Sequence, residues 1–432
     1  MSTDVQPPPE AAEADDLASE TAAVAAPEVI ADSFGEYVKI WWARVRGGES
    51  GALPVILGLI VIVVYFQARN SLFLSAGNLV NLMTQASWIV TLGMAEVFVL
   101  LLGEIDLSIG YSSVIGAVFT LWLLLPPNPA PWPVAVLVGL AFTSFYGMIE
   151  GVLITRLRLP SFVVTLAGLL FGEGFLLLIM NEAAPNSGGS IRLYPGVIYD
   201  IVGGVMSPLV GWIIAAVAVV LAGTLFVVRD SRRRASGLAA PPASVTWLKV
   251  AAMAVAGVVV VLIGNTNRGV TTVVRGLPWV VLVVLVVLVA WTWLLGRTRF
   301  GRYVYAIGGN AEAARRAGIN LSRVRVIAFT LCGLTAGIMG IIYASYLGSV
   351  SSNVNGGQNV LYAVAAAVIG GVSLFGGRGK MLGAVLGGLI VAVIYNGLEL
   401  LGLSADAQDM WTAAVLLAAV IVDTTARRRS AA

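Results

Sequence analysis

The chain contains no histidine, a single cysteine (Cys332, inside an apolar run), and charged side chains at only 11% of its 432 positions. Without histidine there is no imidazole base, no Ser/His/Asp arrangement and no His-ligated metal centre. One cysteine excludes a disulfide framework and a Cys/His metal site. Soluble domains carry charge on roughly a quarter of their residues. With 58% hydrophobic residues, most of this surface must therefore face something other than water. Lysine and arginine are also missing from residues 1–38, which hold nine acids, Asp4 and Glu36 among them. Rich in Ala, Pro and Glu, this stretch cannot bury enough apolar surface to offset its ordering entropy. It reads as a disordered acidic cytoplasmic tail, without the basic start and apolar core of a signal peptide.

What is abundant is the long apolar run. A membrane helix needs about 20 mainly apolar residues, because the hydrocarbon core is roughly 30 Å thick and each residue rises about 1.5 Å. Segments 52–68, 80–102, 107–125, 133–153, 161–180, 209–228, 248–264, 278–295, 326–347, 360–375, 381–402 and 410–423 qualify, the tenth and twelfth being short. The fold expected for 39–432 is an all-α polytopic membrane domain of ten to twelve transmembrane helices. Basic residues favour the cytoplasmic side, and they alternate: Lys39, Arg44 and Arg46 precede the first span, Arg156 and Arg158 follow the fourth, and Arg229 and Arg232–Arg234 follow the sixth. Seven arginines follow the eighth, Arg378 and Lys380 the tenth, and Arg427–Arg429 close the chain. Both termini are expected in the cytoplasm. The junction 103–110 falls on that side yet is acidic, which marks it as a broken or re-entrant element. The outside loop 181–208, rich in Asn, Gly, Ser and Pro, reads either as a docking surface or as a solvated connector.

Residues 103–118 read GEIDLSIGYSSVIGAV and residues 370–385 read GGVSLFGGRGKMLGAV, sharing Gly103/Gly370, Leu107/Leu374, Gly110/Gly377 and the closing GAV. Each glycine turn follows a span heading inward. The likeness suggests a parallel internal half-repeat, with chance similarity between Gly/Val-rich helices as the competing explanation.

The cytoplasmic loop 296–325, GRTRFGRYVYAIGGNAEAARRAGINLSRVR, predicts a short helix. Asn310 is a good N-cap, and Glu312 is an acid in the first turn. Ala313 and Ala314 are strong helix formers, Arg315 and Arg316 suit the C-terminal end, and Gly318 is a stop. Two turns are marginal alone, so the helix either packs on a protein surface or lies on anionic lipid, drawn by its arginines.

These residues carry a family resemblance. Glu312, Ala313, Ala314 and Gly318 resemble the E-A-A-x-x-x-G ATPase-coupling loop of ABC importer permeases, which implies that Asn310, Glu312, Ala313, Ala314, Arg315 and Gly318 couple to the ATPase. GRYVYAIGGNAEAARRAGIN is similar to the signature of their monosaccharide branch, which includes ribose and xylose permeases. GEIDLSIG, LPSFVVTLAG and IGGVSLFGGRG resemble further family segments in family order, from about residue 75 onward. Xylose-type permeases are the most alike: they share a basic, Pro/Ala-containing insertion like 229–244 and can carry Glu at the place of Glu104. Glu173 departs from the pattern, which usually has Arg or a non-acidic residue there, and this bears on sugar identity. The resemblance implies an inner-membrane permease working with cytoplasmic ATPase subunits, a sugar-binding protein outside and a second permease copy. ATP and Mg would be bound by the ATPase, with no cofactor on this chain, and nucleic acid is not an expected partner.

Charges inside spans are costly, about 2.5–3.5 kcal/mol each on insertion scales, and so mark function. Glu96, Glu104, Asp106, Glu150, Glu173 and Glu399 qualify. The candidate path comprises Glu104, Asp106, Ser108, Glu173 and Asn396. Asp106 reads either as a helix cap or as a sugar ligand, and Asn396 as a hydroxyl partner or a helix–helix contact. GGRGKM at 376–381 lacks the spacing and the Ser/Thr of a phosphate-binding loop, so no ATPase activity is expected of this chain. An ion-coupled secondary transporter and a permease for another small polar solute remain the rival readings.

Overall fold

The computed structural model describes residues 33–46, 53–185, 187–238, 240–404, 406–414 and 417. The first helix, α1 (Phe34–Arg46), begins inside the stretch expected to be tail, while 1–32 lie outside the described residues. Then follow α2 (Leu53–Arg69), α3 (Ala76–Leu100), α4 (Ile109–Trp122), α5 (Trp132–Leu157), α6 (Ser161–Ala183), β1 (Ser190–Arg192), α7 (Val197–Gly203), α8 (Pro208–Ala235) and α9 (Ala243–Asn265). The remainder comprises α10 (Trp279–Arg297), α11 (Arg299–Gly309), α12 (Ala311–Arg316), α13 (Leu321–Leu347), β2 (Ser349–Ser351), α14 (Gly356–Ile369) and α15 (Met381–Leu400).

Among the described residues, eight helices are long and apolar enough to cross a membrane: α3, α5, α6, α8, α9, α10, α13 and α15. Shorter apolar helices, α2, α4 and α14, occupy the first, third and tenth expected spans. The expected span at 410–423 lies mostly outside the described residues. This is a multi-pass, all-α membrane protein. Its only described sheet is a two-stranded antiparallel ribbon in which Ser190 faces Ser351 and Arg192 faces Ser349.

The chain divides into two units. The smaller holds residues 1–49 and 213–259. Within it the basic α8 end is fixed by Asp230, which accepts from Thr246 Oγ1 at 2.8 Å and pairs with Arg229 Nε at 3.0 Å. Many of its Val and Leu side chains are exposed, Leu221 and Leu225 among them, which suits lipid.

The larger unit, 50–212 and 260–432, holds every candidate site residue. Its centre is α3, buried without a break from Thr84 to Leu100 and packed by α13, α14, α15 and α10. Ser75 caps α3 by accepting from the Asn78 N–H. The most extensive helix contact is α5 with α13, where small residues let backbones touch. A Cβ at Gly147 would overlap the Phe329 carbonyl, and one at Gly333 the Thr143 carbonyl. The helices on either side of the two glycine turns differ in order: 25 residues before and 14 after the first, 14 before and 20 after the second. At about 1.5 Å per residue, a 14-residue helix spans only about 21 Å, short of the roughly 30 Å hydrocarbon core.

Candidate functional site

The loop 296–325 folds as two consecutive helices at the basic end of the larger unit. Thr298 caps α11, accepting from the Gly301 N–H at 3.2 Å. Gly301, Val304 and Ile307 form its buried stripe, at a spacing of three residues. Asn310 ends α11 and caps α12, accepting from the Ala313 N–H at 2.9 Å. Ala314 is 5% exposed and turns inward, packing in one cluster with Val304, Ile307 and Val324. Gly318 is left-handed (φ +82°), and the Ile319 N–H reaches back to the Ala314 carbonyl at 3.1 Å, the glycine stop expected from sequence. Glu312 faces water and pairs with Arg315 at 2.8 Å and Arg316 at 3.2 Å. The hydrogen bonds from these two guanidinium groups, Arg315 first, hold its carboxyl below the usual value.

Sequence reasoning proposed α12 and overlooked α11, which joins it to the bundle. Gly308 lies on the Leu101 carbonyl and beside Gly377, with no room for a Cβ. The Gly377 N–H donates to the Leu101 carbonyl at 2.9 Å, joining the second glycine turn to the first. Gly103, Gly376 and Gly377 all have positive φ, between 73° and 86°, which glycine adopts without Cβ strain. The Tyr305 hydroxyl donates to the Gly379 carbonyl at 2.8 Å. Arg325 Nε lies 3.1 Å from Glu104 Oε1, an ion pair whose N–H is not aligned as a hydrogen bond. Both turns, the α11 helix and the foot of α13 thus meet at one junction. The two-turn knob of α12 is attached to it through Asn310 and Ala314.

Three carboxyl groups lie behind the first turn: Glu96 (0% exposed), Asp106 (1%) and Glu150 (3%). Asp106 Oδ1 accepts the Ser108 N–H at 2.9 Å and hydroxyl at 2.8 Å, a turn-capping geometry at the start of α4. The same hydroxyl is 2.9 Å from Glu150 Oε2, and the Asp106 N–H donates to Glu96 Oε1 at 3.1 Å. One oxygen of each acid is left without a hydrogen-bond partner, and no ion pair to any of them occurs among the described residues.

Glu104, Asp106 and Ser108 are therefore together, whereas the other two candidates lie elsewhere. Glu173 is exposed on α6, with the Tyr111 hydroxyl against its carboxylate and the Phe171/Phe175 stack alongside (5.6 Å between ring centroids). Asn396 is buried in α15 at the opposite end, exchanging hydrogen bonds with Asn78 (2.8 and 3.1 Å) and donating to Gln85 at 2.9 Å. Gln85 is absent from the candidates that the sequence offers, whereas Glu96 and Glu150 stand there as charges inside spans but not on the candidate path. Their polarity inside apolar helices was the available signal.

Residues 78–420 match the family model described as "Branched-chain amino acid transport system / permease component". The chain belongs to this permease family. It is 34% identical to the xylose transport system permease protein XylH of Haemophilus influenzae, over 87% of this chain and 96% of that one. It is 30% identical to the ribose import permease protein RbsC of Escherichia coli K12 (85% and 92%). Identity to the fructose import permease protein FrcC of Rhizobium meliloti is 29% (88% and 87%). No solved structure matches the chain. With eight candidate spans among the described residues and these bacterial relatives, the permease is a multi-pass protein of the bacterial inner membrane.

Proposed function

We propose that this permease forms the membrane path of an ATP-driven importer for a monosaccharide, with xylose or a similar pentose as cargo. Two copies of the chain work with cytoplasmic ATPase subunits, which bind ATP and Mg, and with an extracytoplasmic sugar-binding protein. The basic end of the larger unit faces the cytoplasm in this reading.

The observation that carries the proposal is the link from α12 through α11 to both glycine turns, made where Gly308 meets the Leu101 carbonyl and Gly377. A knob that projects from the cytoplasmic face can be gripped by a soluble partner. Its displacement then moves two backbone turns that have no slack, since Gly308 and Gly377 are already in contact. Sugar specificity is supported by the three sugar permeases above, among which the xylose protein has the highest identity.

Membrane vesicles holding the permease, its ATPase and its binding protein test the assignment. Uptake of D-xylose should require internal ATP and survive an uncoupler. The buried trio Glu96, Asp106 and Glu150 is what favours an ion-coupled carrier instead. That reading requires uptake by this polypeptide alone, abolished by the uncoupler.

A further inference from the structure

At the end of the larger unit opposite the junction, α3, α13, α14 and α15 bring together an aromatic and polar group that no role described above uses. Trp88 lies 4.9 Å from Tyr343 and 5.9 Å from Tyr362, and Tyr362 lies 6.4 Å from Tyr395, measured between ring centroids. Trp88 is 3% exposed, and its indole N–H has no acceptor. Beside the rings, Gln358 Nε2 donates to the Tyr362 hydroxyl at 3.0 Å and also to Asp409. Gln85 Nε2 donates to Glu399 Oε2 at 2.6 Å. Tyr343 and Tyr395 are half-buried and Glu399 is exposed, so the group reaches the surface along one side, while Trp88 and Tyr362 are buried behind them.

We propose that this cluster, within a single permease chain, is a station that binds the ring form of a monosaccharide; the proposal rests on the monosaccharide reading above. Aromatic faces accept the C–H side of a sugar ring, and convergent polar groups fix its hydroxyls. A hydroxyl both donates and accepts, which matches a site offering an unpaired indole N–H, two amides and two carboxylates. The charge argues against other small solutes. An amino acid brings a carboxylate, and a buried carboxylate needs a cation or several donors. This group contains two acids and no lysine or arginine, so an anionic end would be repelled.

Substituted cysteines provide the test, because the native Cys332 is fully buried and out of reach of a polar reagent. Gln358→Cys and Glu399→Cys are made separately in the full permease, assembled with its ATPase in vesicles of native orientation. Both should react with a membrane-impermeant maleimide from outside. D-xylose, D-ribose or D-fructose at ten times its dissociation constant leaves about a tenth of the sites free, so labelling should slow roughly tenfold. Labelling of Ser187→Cys, on the outer loop, should not change. Equal rates with and without all three sugars, in vesicles that do import sugar, would overturn the station and leave the cargo reading intact. Failure to label, or protection by L-leucine alone, would also overturn it. If none of the three sugars is imported, the cargo reading fails and the station with it.

Discussion

The Glu104 carboxylate lies 3.1 Å from Arg325 Nε and joins the first glycine turn to the foot of α13. Glu104 is 13% and Arg325 29% exposed, so the pair is partly screened and contributes about 1 kcal/mol at most. Glu104→Gln should slow sugar uptake without loss of membrane assembly or of ATPase binding. A double-mutant cycle with Arg325→Gln should show coupling on the scale of about 1 kcal/mol, since the partners touch. Additive effects on uptake would mean that the pair does not act as a unit.

Gly308 and Gly309 are adjacent but differently placed. A Cβ at Gly308 would overlap the Leu101 carbonyl, whereas nothing lies within 4 Å of one at Gly309. Gly308→Val should lower thermal stability by about 1–3 kcal/mol through overpacking and uncouple ATP hydrolysis from uptake. Gly309→Ala should leave both unchanged. Equal behaviour of the two variants in melting and uptake assays would remove the junction from the mechanism.

Glu312 carries its partners' charge balance at the start of α12. Its pKa is depressed, so its contribution is complete above the ordinary glutamate value of about 4.3 and is lost only as pH falls through the lower folded value. Recovery of the ATPase with the permease should therefore be flat across neutral pH. Glu312→Lys, which sets a positive charge at the helix's positive end, should weaken that recovery at every neutral pH. A fall near neutrality in the native protein would assign the dependence to another group.

The orientation can be read from single cysteines. Ser187→Cys should label from outside and Ala311→Cys from inside, with Cys332 silent because it is buried. The reverse pattern would invert the bundle and remove α12 from the ATPase side.

The spans were legible because hydropathy over about 20 residues reports lipid-facing length directly. The same signal overran at two places. The expected spans 107–125 and 360–375 became the shorter Ile109–Trp122 and Gly356–Ile369. Leu107 and the residues 370–375 are mostly apolar, but they belong to the glycine turns, as the positive φ of Gly371 shows. Capping at Asn310 and the stop at Gly318 were readable because both act within a few residues. The α11 helix was not, since Gly301 and Gly308 argue against a helix by propensity. They are required only by the Leu295 and Leu101 carbonyls that approach them. Asn396 was recognisable as polar, whereas its partners Asn78 and Gln85 lie more than 300 positions away and only folding brings them together.

Transport depends on α12 as the part gripped by the ATPase, and Ala314→Pro tests that role most directly. Proline there removes the hydrogen bond from the Ala314 N–H to the Asn310 carbonyl (3.0 Å) and clashes with the preceding turn. The cost, about 3 kcal/mol or more, exceeds what a two-turn helix can absorb. The measurement is ATPase co-purification together with ATP-driven sugar uptake, in membranes where insertion of the spans has been verified. Both should be lost while insertion is normal. A variant that still retains its ATPase and imports sugar at the native rate would contradict that role.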